Sequence, residues 1–425
     1  MSIFSRIIKP KTSSKKPVKK IKERKQQSEK KGILQDYGLM FGLKQKPDVI
    51  FIVILAAFII FGLIMVYDSS AVVASKAPFY DQFAILKNQL FNVGAGIVGL
   101  LFFYFFDYRR LGKWSLFILI GSIVLLVAVL FLGETVNGAR RWLVVGGVNV
   151  QVSEIAKFAF VIYLAFWLNR AKQKINKLNI AFITYIKTDL LPFLVLLSII
   201  GTLVMIQPDL GTAAIIALTA SLMFFISNDD LVHLITSVLV FILLIGVLIA
   251  GVFLQSYRQE RFNVYTELLT TGRISQDKVR DSGYQQQQVL IAISSGGLGG
   301  VGFGESKQKY FYLVDQTAYT DTIFAVIAEE LGLIGCVVLV IAYLIFILRG
   351  LKIAQNAPDK IGALLVYGII IWVGLQSFLN IAANVALIPF KGITLPFLSY
   401  GGSSIVVILS AMGIVLNVSK YKKVV

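Results

Sequence analysis

The sequence predicts an all-α polytopic integral membrane protein of about ten transmembrane helices, with both termini cytoplasmic. Composition is the first observation behind this. The 425 residues are 57% hydrophobic and 15% charged, with a mean hydropathy of +0.78. A soluble domain runs nearer to about 45–50% apolar and about 25% charged. The second is the length of the apolar runs. Val49–Tyr67 and Val232–Leu254, at about 1.5 Å per residue, can each cross roughly 30 Å of hydrocarbon. The third is that positive charge alternates between the short connections, as the positive-inside bias requires.

In chain order, residues 1–47 come first and read as a basic, disordered cytoplasmic tail. Met1–Lys46 carries 14 Lys and Arg against Glu23, Glu29 and Asp36, with too little apolar content to bury a core. Such an arm could bind nucleic acid, but it has no interleaved aromatics and lies directly before a membrane span. Attraction to anionic lipids, at about 1 kcal/mol per nearby cation, accounts for it better. It is not a secretory signal, because the apolar run starts near residue 49 and no cleavage site follows.

Residues 48–420 form the membrane domain, with helices expected near 49–67, 90–106, 115–132, 154–169, 190–206, 213–227, 232–254, 322–348, 361–381 and 403–418. The clusters Arg109–Lys113, Arg170–Lys177, Arg349–Lys360 and Lys420–Lys423 then share one side with the basic tail. Residues 421–425 are a short cytoplasmic end. The outer face receives Gly133–Ser153, Gln207–Thr212, the large extracytoplasmic loop 255–320 between helices 7 and 8, and Asn384–Gly402. A loop that long is more than a connector. Its Gly-rich run, Ser294–Gly304, follows Tyr284 and Gln285–Gln288. No strand precedes it and no GK[ST] follows, so it is neither a phosphate loop nor a dinucleotide fingerprint. It reads as a re-entrant or interfacial segment that bends and packs closely.

Residue supply limits the chemistry. Cys336 is the single cysteine and His233 the single histidine. An intramolecular disulfide, a cysteine metal site and a histidine-based triad are therefore excluded. Acid–base work falls to Asp, Glu, Lys, Arg or Tyr.

Asp321 stands before the eighth helix at its outer end. Thr320 or Asp321 could simply cap that helix. Asp321 could equally be a general base that takes a proton from a substrate hydroxyl at the bilayer surface. Glu329 and Glu330, deeper in the same helix, need cationic or hydrogen-bonding partners, or must stay protonated. Glu154 and Lys157, three apart on one helical face, could form a local ion pair. Arg140 and Arg141 lie on the outer side against the positive-inside bias, next to Trp142. Arginine forks suit phosphate oxygens. Lys391, within PFKGITLPFLSYGG, is a further outer-face cation. Cations gathered near one carboxylate suggest a substrate with a diphosphate and a sugar hydroxyl.

NGARRWL (Asn137–Leu143), QVSEIAK (Gln151–Lys157), QPDLGTA (Gln207–Ala213), GYQQQQ, YTDTIFAVIAEELG (Tyr319–Gly332) and LPFLSYGGSS (Leu395–Ser404) occur in one order. In that order they resemble the shape, elongation, division and sporulation family of FtsW and RodA, from about Asp48 to Lys420. NGARRW and KYFYL are more FtsW-like than RodA-like. The resemblance implies a ten-helix peptidoglycan glycosyltransferase that polymerises lipid II with a class B penicillin-binding protein and other divisome proteins, in the bacterial cytoplasmic membrane at the division septum. The family's essential Asp maps onto Asp321, its Ser-Glu-x-x-Lys pair onto Glu154 and Lys157, and a further Lys onto Lys391. Arg140, Arg141, Glu154, Lys157, Lys391 and Ser399 form the implied substrate-binding set. Tyr319 stands where the family usually has His, Val152 where it usually has Pro, and the stretch before Asp321 is about two residues longer than usual. A divalent cation, Mg or Mn, could assist, but no His/Cys or tight carboxylate cluster demonstrates a cofactor. A lipid II flippase using Asp209, Glu329 and Glu330, and a non-catalytic division scaffold, are the competing functions.

Overall fold

A computed structural model describes residues 43–75, 79–136, 139–146, 148–170, 185–228, 230–253, 256–272, 282–311 and 318–423. The basic tail up to residue 42, Asn137-Gly138 and most of the segment ahead of Asp321 lie outside the described residues.

Each of the ten expected spans is a helix. They are α1 (Val49–Ser75), α2 (Ala84–Phe105), α3 (Leu111–Leu132), α4 (Val152–Leu168), α5 (Leu191–Ile206), α6 (Leu210–Ile226) and α7 (Leu231–Val252), then α11 (Ile323–Gln355), α12 (Lys360–Asn384) and α13 (Gly402–Ser419). Among the described residues, eight are long and apolar enough to cross a membrane by length and composition. The exceptions are α4 and α6, at 17 residues each. Both are largely buried by protein, so neither has to match the lipid thickness. By contrast α5 and α7 expose apolar rows such as Val195, Ile199, Ile235 and Ile242, as a lipid-facing helix does.

α13 lies along α2. Small residues permit this approach: a Cβ at Gly413 would lie 2.3 Å from the Leu100 carbonyl, and one at Gly99 would lie 2.2 Å from Ser410 Oγ. Close backbone contact of this kind is how helices gain packing energy inside a bilayer. At one end of the bundle, β1 (Leu43–Lys44) pairs antiparallel with β5 (Tyr421–Lys422). Both ends of the described chain are therefore on one side, as an even number of crossings requires.

Between α3 and α4, three strands form an antiparallel sheet: β2 (Glu134–Val136), β3 (Ala139–Val145) and β4 (Val148–Gln151). The large loop is also structured. It holds α8 (Ser256–Thr271), α9 (Ser282–Ser295) and the short α10 (Lys307–Phe311).

Two departures from the expected spans have physical causes. α1 continues past Tyr67 because the next residue, Asp68, is neutralised: Lys309 Nζ lies 2.7 Å from both of its carboxylate oxygens. α11 is broken at Gly332, whose φ is +64°. The Gly-rich run fills the break. Val301 N–H and Gly302 N–H donate to the carbonyls of Glu329 and Glu330, while Leu333 and Ile334 donate to Gly297 and Leu298. Interrupted helices survive at membrane depth when protein re-satisfies the freed groups. A Cβ at Gly300 would sit 1.9 Å from the Glu330 carbonyl oxygen, so the run bends and packs closely, as its composition suggests.

Candidate active site

The site lies where α4, α6, α8 and α11 meet the 385–401 loop. Asp321 is half-buried and is not a helix cap. The N-cap of α11 is Thr322, which makes no side-chain capping bond. The Asp321 carboxylate instead accepts from the Thr320 hydroxyl at 2.8 Å. Its backbone carbonyl accepts from Asn380 Nδ2 at 2.9 Å and Asn384 Nδ2 at 3.1 Å. On the other side is Gly392, where an added Cβ would lie 2.8 Å from Asp321 Oδ2. Burial pushes the Asp321 carboxyl above the usual carboxylate range, opposed by the Thr320 bond and by the nearby Arg261 guanidinium.

Ser399 is behind Asp321. Its hydroxyl donates to the Thr320 carbonyl and accepts from Leu395 N–H at 2.8 Å. Tyr400 N–H donates to the Tyr319 carbonyl at 2.7 Å. These bonds fix the backbone on either side of Asp321 to the LPFLSYGG turn, and they occupy Ser399. Tyr319, in place of the family's His, is buried against Tyr400, which pushes its phenol up to about 12. At neutral pH it therefore remains a protonated phenol.

Glu154 and Lys157 form a buried ion pair of 2.8 Å. Lys157 Nζ also donates to Gln376 Oε1 at 2.9 Å, and Gln376 donates to the carbonyl of Thr394 at 3.1 Å. The pair thus anchors the loop that carries Lys391 and Gly392. Such a pair, kept with its hydrogen bonds, costs several kcal/mol to disrupt on one side, on the order of 3–5.

Arg140 and Arg141 separate, because successive strand residues face opposite sides. Arg140 is exposed and donates back to Thr135 Oγ1 and the Leu130 carbonyl. Arg141 turns inward and donates to the carbonyls of Gln207 at 2.9 Å and Pro208 at 2.6 Å. The next residue, Asp209, caps α6 by accepting from the N–H and hydroxyl of Thr212. Lys391 lies in the field of Asp209 and of a residue the sequence analysis passed over, Arg258. Burial first, and then Arg258, hold the Lys391 ammonium below its usual range.

Arg258 and Arg261 both come from α8, in a stretch whose polar sequence and length present it as a loop. Their spacing of three was a usable signal, since it places both on one face of a helix. Arg261 donates to the Phe390 carbonyl at 3.2 Å, and Tyr265 to the Leu387 carbonyl at 2.8 Å. Two contacts therefore dock α8 onto the loop before Lys391.

Among the described residues, no three His, Cys, Asp or Glu side chains gather in a way that could hold a metal ion. Those described residues therefore form no cage of three or more such ligands for a divalent cation. Glu329 and Glu330 lie apart from Asp321 in a separate network. Glu329 accepts from Ser306 Oγ at 2.5 Å and Lys307 N–H at 3.1 Å, while Glu330 pairs with Lys309 at 2.5 Å.

Comparison with known proteins agrees with this architecture. A family model for FtsW, RodA and SpoVE, described as "Cell cycle protein", matches residues 48–424. "Stage V sporulation protein E" of Bacillus subtilis is 36% identical over 384 residues, covering 89% of this chain and 99% of that protein. "Probable peptidoglycan glycosyltransferase FtsW" of Geobacter metallireducens is 35% identical over 381 residues, covering 89% and 96%. A chain solved in work on "Structural coordination of polymerization and crosslinking by a peptidoglycan synthase complex" superposes with a TM-score of 0.68 at 26% identity, covering 88% of this chain and 98% of that one. Rod shape determining protein RodA of Thermus thermophilus superposes with a TM-score of 0.61 at 25% identity, covering 88% and 97%.

Proposed function

The chain belongs to the FtsW, RodA and SpoVE family of cell cycle proteins, and from that membership we propose that it is a peptidoglycan glycosyltransferase, polymerising lipid II at the outer face of the cytoplasmic membrane. One juxtaposition carries the mechanism. Gly392 leaves room for the Asp321 carboxylate, whose oxygen an added Cβ would meet at 2.8 Å, and the adjacent Lys391 lies in the field of Asp209 and Arg258. The carboxylate and the cations are therefore gathered around one loop, which itself contributes Lys391.

In this mechanism Asp321 removes the proton from the 4-hydroxyl of the acceptor's GlcNAc. The oxygen attacks the anomeric carbon of the donor, and undecaprenyl diphosphate departs with the bonding electrons. A raised carboxyl makes Asp321 a stronger base when ionised, which suits it to a weakly acidic hydroxyl. Arg141 and Lys391 stabilise the charge that develops on the diphosphate. The Glu154–Lys157 pair holds the loop in register through Gln376, Ser399 fixes the backbone beside Asp321, and Arg140 meets the substrate at the rim.

The relative solved in a synthase complex supports a crosslinking partner, for which a class B penicillin-binding protein among other divisome proteins is the candidate. The curated relatives named FtsW support a place at the division septum. The charges a flippase would use are otherwise committed: Asp209 caps α6, and Glu329 and Glu330 bind Ser306 and Lys309.

Purified protein supplied with lipid II and its penicillin-binding partner, the partner carrying no polymerase of its own, tests the proposal. Glycan strands are the expected product. Translocation of lipid II without polymer would establish the flippase instead, and neither outcome would leave a scaffold.

A further inference from the structure

We propose that Arg258 binds the leaving diphosphate directly, completing with Arg141 and Lys391 an anion site between α8, the Gln207–Asp209 turn and the 385–401 loop. This rests on the polymerase function above and extends it to a residue outside the implied substrate set.

Three observations converge. The first is an incomplete guanidinium. Arg258 Nη1 donates to the carbonyl of Gly251 at 2.9 Å, near the end of α7, which orients the side chain. Nη2 is buried and has no hydrogen-bond partner. A buried charged donor without an acceptor is unfavourable unless a ligand supplies one.

The second is unbalanced charge. Arg258 lies in the field of Arg141 and Asp209, and Lys391 in that of Arg258 and Asp209. Asp209 is the one carboxylate among these four groups, and its two oxygens already accept from Thr212. Three cations against one occupied carboxylate leave an excess that matches a diphosphate, and an arginine fork suits its oxygens.

The third is location. Lys391 precedes Gly392, where an added Cβ would lie 2.8 Å from the Asp321 carboxylate. When the acceptor oxygen bonds to the anomeric carbon, the carbon–oxygen bond to the diphosphate breaks. Its electron pair passes to the phosphate oxygen while the hydroxyl proton passes to Asp321. Charge thus appears on the leaving group beside the cations, as the base is neutralised.

A purely structural Arg258, holding α8 on α7, is separable by experiment. Farnesyl diphosphate is the probe and farnesol the control, with full-length protein in nanodiscs and binding measured calorimetrically. Wild type should bind the diphosphate and not the alcohol. Arg258→Gln should weaken diphosphate binding by about 10- to 100-fold, the loss expected of one charged hydrogen bond. Where that variant inserts poorly, Arg258→Lys carries the test, since it keeps a charge and loses the fork. It should bind several-fold more weakly at normal monodispersity. In turnover, either variant should raise KM for lipid II and lower kcat without moving the acid limb of the pH profile, which belongs to Asp321. Unchanged diphosphate affinity in a folded Arg258 variant would overturn the proposal. Loss of binding in Arg258→Gln from a wild type that does not polymerise would keep the anion site and remove the polymerase.

Discussion

Asp321 is asked to be buried and ionised at once, and the conflict has measurable consequences. Its pKa is raised in the folded protein, mainly by burial. The folded state then binds more protons than the unfolded state as pH climbs from the ordinary carboxylate value through the raised one. Stability is lost across that window. Asp321→Asn removes the conflict, so the variant should melt above wild type at pH 7–8, with the difference shrinking as pH falls. Thermal unfolding across pH checks this, and a lower melting point at neutral pH would restore a capping role. Arg261 opposes the rise. Arg261→Gln should therefore shift the acid limb of kcat/KM for lipid II to higher pH, and an unshifted limb would remove Arg261 from the electrostatics of the base. Gly392→Ala places a methyl 2.8 Å from the carboxylate oxygen. A displacement of about 1 Å at such a site costs on the order of 10²-fold in rate, which turnover by the inserted variant would reveal. Asp321 was legible in the sequence through its motif, but Gly392 was not. Its contact joins residues far apart in the chain, and a glycine has no chemistry of its own to announce it.

At the scale of the element, hydropathy locates each of the ten apolar helices but neither the helices of the large loop nor the break in α11. A single glycine does little to the apolar character of 322–348, and Gly332 shows its left-handed φ only against the Gly-rich run that pairs with it. The run itself was legible as a bending, close-packing segment because its glycines have no other evident use. Its anchor was not. Lys309 is almost fully buried between Asp68 and Glu330, three residues from three separate elements. Removing the cation strands two carboxylates, which in a buried network costs about 3–5 kcal/mol. Lys309→Met should accordingly unfold at markedly lower temperature in detergent, whereas a change within about 0.5 kcal/mol, the range of ordinary surface substitutions, would show that the network carries little of the fold. The helix α8 teaches the same lesson from the opposite side. Its polar sequence suggests a loop, yet Arg261 and Tyr265 dock it on the loop beside Asp321.

Across the whole molecule, the basic clusters and the pairing of β1 with β5 agree that the two ends of the described residues share a face. The candidate site lies at the opposite ends of the helices. Deletion of Met1–Lys31, which precedes β1 in the chain, should leave lipid II turnover by the inserted protein largely intact. Loss of turnover at normal insertion would contradict that expectation. That the two ends of the described residues lie together was legible because charge alternates between connections. What the sequence withheld was convergence: which cations meet, that Arg140 and Arg141 part company on β3, and that α8 joins them. The most direct test of the account is polymerisation of lipid II by Asp321→Asn in complex with its penicillin-binding partner. Asparagine keeps the shape and removes the base, and general-base catalysis is worth about 10²–10⁴-fold. The account predicts a variant that inserts, binds its partner and loses at least 10²-fold in strand synthesis; polymerisation near the wild-type rate would contradict it.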